Sequence, residues 1–127
     1  MKFDKNNYEI RYYYIRNAKA NCPGNHALAC ICMVKNKTDG IISRGISICS
    51  TKEKFFNKQT ARGIAFQRAV CADLSKTSSE EFVPTPTTQY AIDTMGDKYG
   101  LGFKDNIVVK SEYDITPTSF EVGVWDD

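Results

Sequence analysis

A strand-length run from Ile41 to Cys49 passes through Ser50 into a cationic, helix-length segment ending near Leu74, and this junction constrains the fold more than any other stretch. Glu53 follows Ser50 at capping-box spacing, and KFFNKQTARGIAFQRAVCADL carries helical periodicity behind it. The pattern predicts a helix from about Lys52 to Leu74. Ala61, Ala65 and Ala69 recur at every fourth position, with Ile64 and Val70 alongside, a small-residue stripe that lets a helix lie close on a sheet. Gly63 weakens such a helix by about 1 kcal/mol against Ala, so its presence predicts a close approach to its backbone.

The strands can be read around that junction. Ala27–Val34 is a near-continuous apolar run suited to a central strand, and Asp39-Gly40 favours a tight turn at positive φ. Ile41–Cys49 should therefore pair back antiparallel to it. In YEIRYYYIR, Ile10, Tyr12 and Tyr14 fall on one face and Glu9, Arg11 and Tyr13 on the other, as a half-buried strand requires. NAKANCPGNH reads as a loop. Ser75–Gln89 is polar and interrupted by proline, so no regular element is expected there, with Phe82 and Val83 its only large apolar residues. Tyr90–Met95 suits either a short strand or a helical turn. Ile107–Tyr113 and Ser119–Trp125 alternate as strands joined by the turn DITPT. The expected fold is α+β: a single domain over 1–127 with an antiparallel sheet packed against one main helix.

A chain of 127 residues with 42% hydrophobic content can build its own core without disulfides or metal. The net charge of +2 is too small for wholesale nucleic-acid binding. MKFDKNNYEI is charged and has no apolar centre, so no secretory signal is expected, nor any membrane helix. The five cysteines then read as reduced thiols in a cytosolic protein, most of them acting as small hydrophobes. Cys22, His26, Cys30, Cys32 and Cys49 could supply zinc ligands, but their spacing lacks the paired knuckles of common zinc sites. Buried thiols are the favoured reading, and no metal is expected.

Chemistry on offer is mostly binding chemistry. His26 is the sole histidine and lies in a loop, with no Ser or Cys placed to form a triad. No P-loop, dinucleotide fingerprint or metalloprotease motif occurs, so neither catalytic residues nor a cofactor are expected. A helix N-terminus presents unpaired N–H groups and partial positive charge. Lys52, Lys54, Lys58, Arg62, Arg68 and Arg44 add to that field, and Lys54, Lys58 and Arg62 share one stripe. Such a stripe is often only a solvated surface. Here it begins at a helix N-terminus, with Arg44 on the strand before it, and that favours phosphate. Phe82, the aromatic residue of this polar loop, plugs into the core, packs at a subunit interface or offers a stacking platform for a purine, with Thr85, Thr87 and Thr88 beside it for ribose.

ISRGISICSTKEKFFNKQTARGIAFQRA resembles the phage-encoded Thoeris anti-defence protein 1 family. The likeness rests on Arg44-Gly45-Ile46, Ser50-Thr51, Arg62-Gly63-Ile64-Ala65 and Arg68-Ala69, and is weaker over the N-terminal and C-terminal strands. It implies a homo-oligomeric sponge that acts in the cytoplasm of an infected bacterial host. Such a sponge holds a cyclic ADP-ribose isomer made by TIR-domain immune proteins and blocks effector activation without degrading the signal. The resemblance extends to cyclic oligonucleotides at separate sites. On this likeness Phe82 would stack on the adenine, Ser50, Thr51, Arg44, Arg62 and Arg68 would face the pyrophosphate, and Lys110 and Asp114 would close over the riboses. The alternative is a nucleic-acid-binding module using the basic helix face, and a nucleotide-cleaving enzyme is a third reading.

Overall fold

The computed structural model describes residues 5–16, 27–48, 58–82, 100–101 and 107–126. A short 3-10 turn, Lys5–Asn7, leads into β1 (Tyr8–Arg16), followed by β2 (Ala27–Asn36), β3 (Ile42–Ile48), α1 (Lys58–Ser75), β4 (Ser79–Phe82), β5 (Ile107–Glu112) and α2 (Ser119–Asp126). The strands form a five-stranded sheet in the order β1-β2-β3-β5-β4, and each neighbouring pair is antiparallel. The α+β class with one main helix on an antiparallel sheet therefore stands. Lys37–Asp39 forms the β2–β3 turn and Gly40 takes φ +74°, as the Asp-Gly pair predicts.

Both faces of the sheet are covered, because the strands alternate between two apolar sets. On one face Tyr8, Cys30, Cys32 and Val34 meet Ala61, Ala65, Ala69 and Val70 of α1, with Ile10, Tyr12, Tyr14 and Phe66 at the margin. On the other, Tyr13, Ile15, Ala29, Ile31, Met33 and Ile46 form a second cluster with Leu101, flanked by Val124 and Trp125 of α2. β1 is thus not a strand with one wet face. Tyr13 is buried beside Phe120, ring centroids 5.1 Å apart, and Arg11 lies 5.1 Å above the Trp125 ring.

The alanine stripe does what its spacing predicts, and the glycine that permits it is on the sheet. A Cβ at Gly45 would sit 2.0 Å from the Ala65 carbonyl oxygen and 2.4 Å from the Ala69 nitrogen. A Cβ at Gly63 would meet nothing within 4 Å. The expected close approach at Gly63 is therefore absent among the described residues, and Gly45 takes that role.

Two elements differ from expectation. Ser79–Phe82 is an edge strand paired with β5, although its sequence SEEF lacks apolar alternation. Ser119–Asp126 is a helix, not a strand. Its start is a capping box: Thr118 Oγ1 accepts from the Glu121 N–H at 3.2 Å, and Glu121 Oε1 accepts from the Thr118 N–H at 3.1 Å. The expected helix between Lys52 and Asn57, and the Tyr90–Met95 segment, lie outside the described residues.

Candidate functional site

The antiparallel register decides which ends of the elements meet. Arg16 pairs with Ala27, Ala29 with Ile48, and Phe82 with Ile107. β1, β3 and β4 therefore end, and β2 and β5 begin, at one end of the sheet. α1 also starts there, because Arg62 lies over Tyr12 while Asp73, near its C-terminus, reaches Tyr8. The connections after β1, β3 and β4 all leave from this end. Among the described residues, the opposite end holds the 3-10 turn Lys5–Asn7 and the turns at 37–41, 76–78 and 113–118.

Phe82 is the last residue of β4 and so stands at the end where the connections gather, not within a loop. Ser50 and Thr51 follow the last residue of β3 in the chain and lie outside the described residues, as does Lys54. Arg62 is exposed in the second turn of α1, its guanidinium carbon 4.4 Å from the Tyr12 ring centroid. Burial pushes the Tyr12 hydroxyl up to about 12, against the opposing pull of Arg62. A guanidinium stacked on a ring keeps its in-plane N–H groups available to an anion.

The other cations go elsewhere. Arg44 is 4% exposed and lies on the face opposite α1, where its Nε donates to Glu121 Oε2 at 2.8 Å and its Nη1 to Glu112 Oε2 at 2.6 Å. Nη2 also bonds Glu121 Oε1, and the Tyr13 hydroxyl donates to Glu121 Oε2 at 2.6 Å. Burial works to lower the Arg44 pKa, but the bonds and charge of Glu121 outweigh it and the net shift is upward. Glu112 is raised, first by burial and then by Glu121, with Arg44 opposing. Tyr13 is raised by burial and then by Glu121. This cluster is an internal ion network joining β1, β3, β5 and α2, and it holds Arg44, expected from the resemblance to face a pyrophosphate, between two carboxylates on the face away from α1.

Arg68 takes a third direction. It is half-buried, and its Nη1 donates to the Ile46 carbonyl at 2.6 Å. Along α1 it lies on the flank toward β3 and β5, whereas Arg62 lies on the flank toward β1. Arg44, Arg62 and Arg68 are thus not brought together. Lys110 is half-buried within β5, and Asp114, exposed at φ 56°, lies past the end of β5 at the far end of the sheet.

The residues that sequence reasoning missed are Glu121, Glu112 and Tyr13. Thr118-x-x-Glu121 was the available signal for the first, being a capping-box spacing ahead of an apolar run. A second polar cluster ties the far end together: the Tyr8 hydroxyl donates to Asp73 Oδ2 at 2.5 Å and Asn36 Nδ2 to the same oxygen at 3.2 Å. Cys30 and Cys32 are buried against α1, and burial pushes their thiols up to about 11 and about 12, whereas Cys71 is exposed. Among the described residues no His, Cys, Asp and Glu set is placed to hold a metal ion, and Cys22, His26 and Cys49 lie outside them. No described helix is long and apolar enough to cross a membrane. No protein-family model, curated protein or solved structure matches the chain.

Proposed function

We propose that the chain is a nucleotide sponge, binding a cyclic ADP-ribose isomer and holding it unchanged at the end of the sheet where its long connections gather. The observation that carries this reading is the convergence itself: β4 ending at Phe82, β3 ending at Ile48, and Arg62 exposed on Tyr12 in the second turn of α1. A rigid sheet that delivers several connections to one end is a common way to build a binding site. The family resemblance of Ile42–Ala69 supplies the ligand class, the non-catalytic mode, the homo-oligomeric state and the setting inside an infected bacterial host.

Within this reading Arg62 contacts phosphate and Phe82 stacks on the base, with Ser50 and Thr51 adding hydroxyl contacts. Arg44 and Asp114 leave the ligand set, the first because two carboxylates hold it and the second because it sits at the far end. The described buried carboxylates are engaged structurally, Glu121 with Arg44 and Tyr13, and Asp73 with Tyr8 and Asn36. That commitment suits binding better than acid–base catalysis. A cyclic ligand has lost conformational freedom before it binds, which favours the slow release a sponge needs.

Calorimetric titration of Arg62→Ala and Phe82→Ala tests the placement. Each should weaken binding by about tenfold or more, the loss of roughly 1.4 kcal/mol, with an unchanged melting temperature. Wild-type affinity in both variants would remove this end of the sheet as the site.

A further inference from the structure

The two edges of the sheet are unlike. β4 is four residues long and carries Glu80 and Glu81, the short, charged form in which an edge avoids pairing. β1, the other edge, runs nine residues as YEIRYYYIR, and α1 packs mainly over β3 and β2. The backbone groups that β1 turns outward follow from its register. Lys37 N–H donates to Asn7 O at 2.8 Å, one step beyond the Tyr8–Asn36 pair. Bonding alternates along an antiparallel pair, so Glu9, Arg11 and Tyr13 direct their backbone groups to β2, and Ile10 and Tyr12 direct theirs away from it. The Ile10 carbonyl bears this out, since it accepts from Arg11 Nη1 at 3.0 Å and not from a strand. Among the described residues nothing bonds the Ile10 N–H or either backbone group of Tyr12.

We propose that β1 is a homodimer interface, at which two copies join edge to edge and antiparallel into one continuous sheet. Charge selects both the occupant and the register. A two-fold axis must pair the outward-facing residues with one another. Centring it on Glu9 or on Arg11 sets like charges opposite each other, and centring it on Tyr12 leaves Glu9 opposite the partner's Ile15. Centring it on Ile10 sets Glu9 opposite the partner's Arg11 twice, once on each side of the axis, in the close non-hydrogen-bonded position where opposite charges stabilise. The other face then brings Ile10 opposite the partner's Ile10 and Tyr12 opposite the partner's Tyr8, the apolar and aromatic pairing that a ladder favours. Both charges are available. Glu9 has no ion pair among the described residues, and Arg11, its guanidinium carbon 5.1 Å from the Trp125 ring centroid, gives a single N–H to Ile10 O. Its other donors are left for the partner's Glu9, and the Ile10 carbonyl has a second lone pair for the partner's N–H. The homo-oligomer of the sponge reading gains a surface here, and the surface itself rests on β1 alone.

Charge exchange on the full chain, followed by sedimentation velocity, tests the interface. The wild-type chain should be a dimer in concentrated solution. Glu9→Arg and Arg11→Glu should each weaken association by about tenfold or more. An equal mixture of the two variants should dimerise again, because each copy then meets the opposite sign. A wild-type monomer, a dimer that both variants leave intact, or a mixture that stays monomeric overturns the proposal. Amide hydrogen exchange of the concentrated wild-type protein reads the same interface without a variant, so misfolding of Arg11→Glu does not remove the test. Ile10 and Tyr12 N–H should be protected as Arg11 N–H is, and exchange about tenfold or more faster at the two outward positions overturns the proposal. A β1 dimer that binds no cyclic ADP-ribose would sink the sponge reading and keep the interface. A monomer that binds it tightly would do the reverse.

Discussion

Glu121 is fully buried, and four groups hold its carboxylate: two donors of Arg44, the Tyr13 hydroxyl and the Thr118 N–H. Removing one partner of such a network leaves an uncompensated charge inside the protein, typically costing about 3–5 kcal/mol. Glu121→Ala should lower stability by about that amount in urea unfolding, because it also removes the α2 capping box; a loss under about 1 kcal/mol would mean the network is not closed in solution. Glu112 gives a pH signature. Folding raises its pKa, so the folded chain keeps this proton at pH values where the unfolded chain has lost it. Its ionisation therefore opposes folding, and the effect appears as pH rises from the ordinary carboxylate range through the raised value. Glu112→Gln should flatten that part of the stability–pH curve, and an unaltered curve would contradict the assignment. None of this was legible locally, because the partners of Arg44 lie 68 and 77 positions away.

Among the elements, β1, β2, β3 and α1 were legible because their side-chain periods match the surfaces they cover. α2 was not, because SFEVGVW alternates apolar residues like a strand while its most buried side chain is a glutamate. The capping box sets its conformation, and Val122 is left 47% exposed where a strand reading would have buried it. β4 was missed for the opposite reason: an edge strand of charged residues carries no apolar pattern, and its pairing with β5 comes from elsewhere in the chain. The packing of α1 on β3 yields a pair of predictions of opposite sign. Gly45→Ala drives a methyl group into the α1 backbone and should cost about 3 kcal/mol or more, at or beyond the usual overpacking range. Gly63→Ala meets open space and should stabilise the helix by about 0.5–1 kcal/mol. Thermal unfolding of the two variants reads both, and equal shifts would mean that Gly45 is not the contact point.

At the scale of the whole molecule, the candidate site was only partly legible. The family resemblance assigned Phe82 and Arg62 to one ligand, and the topology brings their elements to the same end of the sheet. The same reasoning added Arg44 and Arg68 because they are cations near a helix start, yet strand alternation sends Arg44 to the opposite face and helical angle sends Arg68 to the opposite flank. Residue type and proximity in sequence do not fix direction; register and period do. The central claim is that this end of the molecule holds a cyclic nucleotide without altering it. Its most direct test is calorimetric titration of the wild-type chain with cyclic ADP-ribose isomers, then heat release and chromatography of whatever was bound. Submicromolar binding of one isomer, returned chemically unchanged, is the predicted result. Failure of every isomer to bind, or release of an altered product, would contradict it.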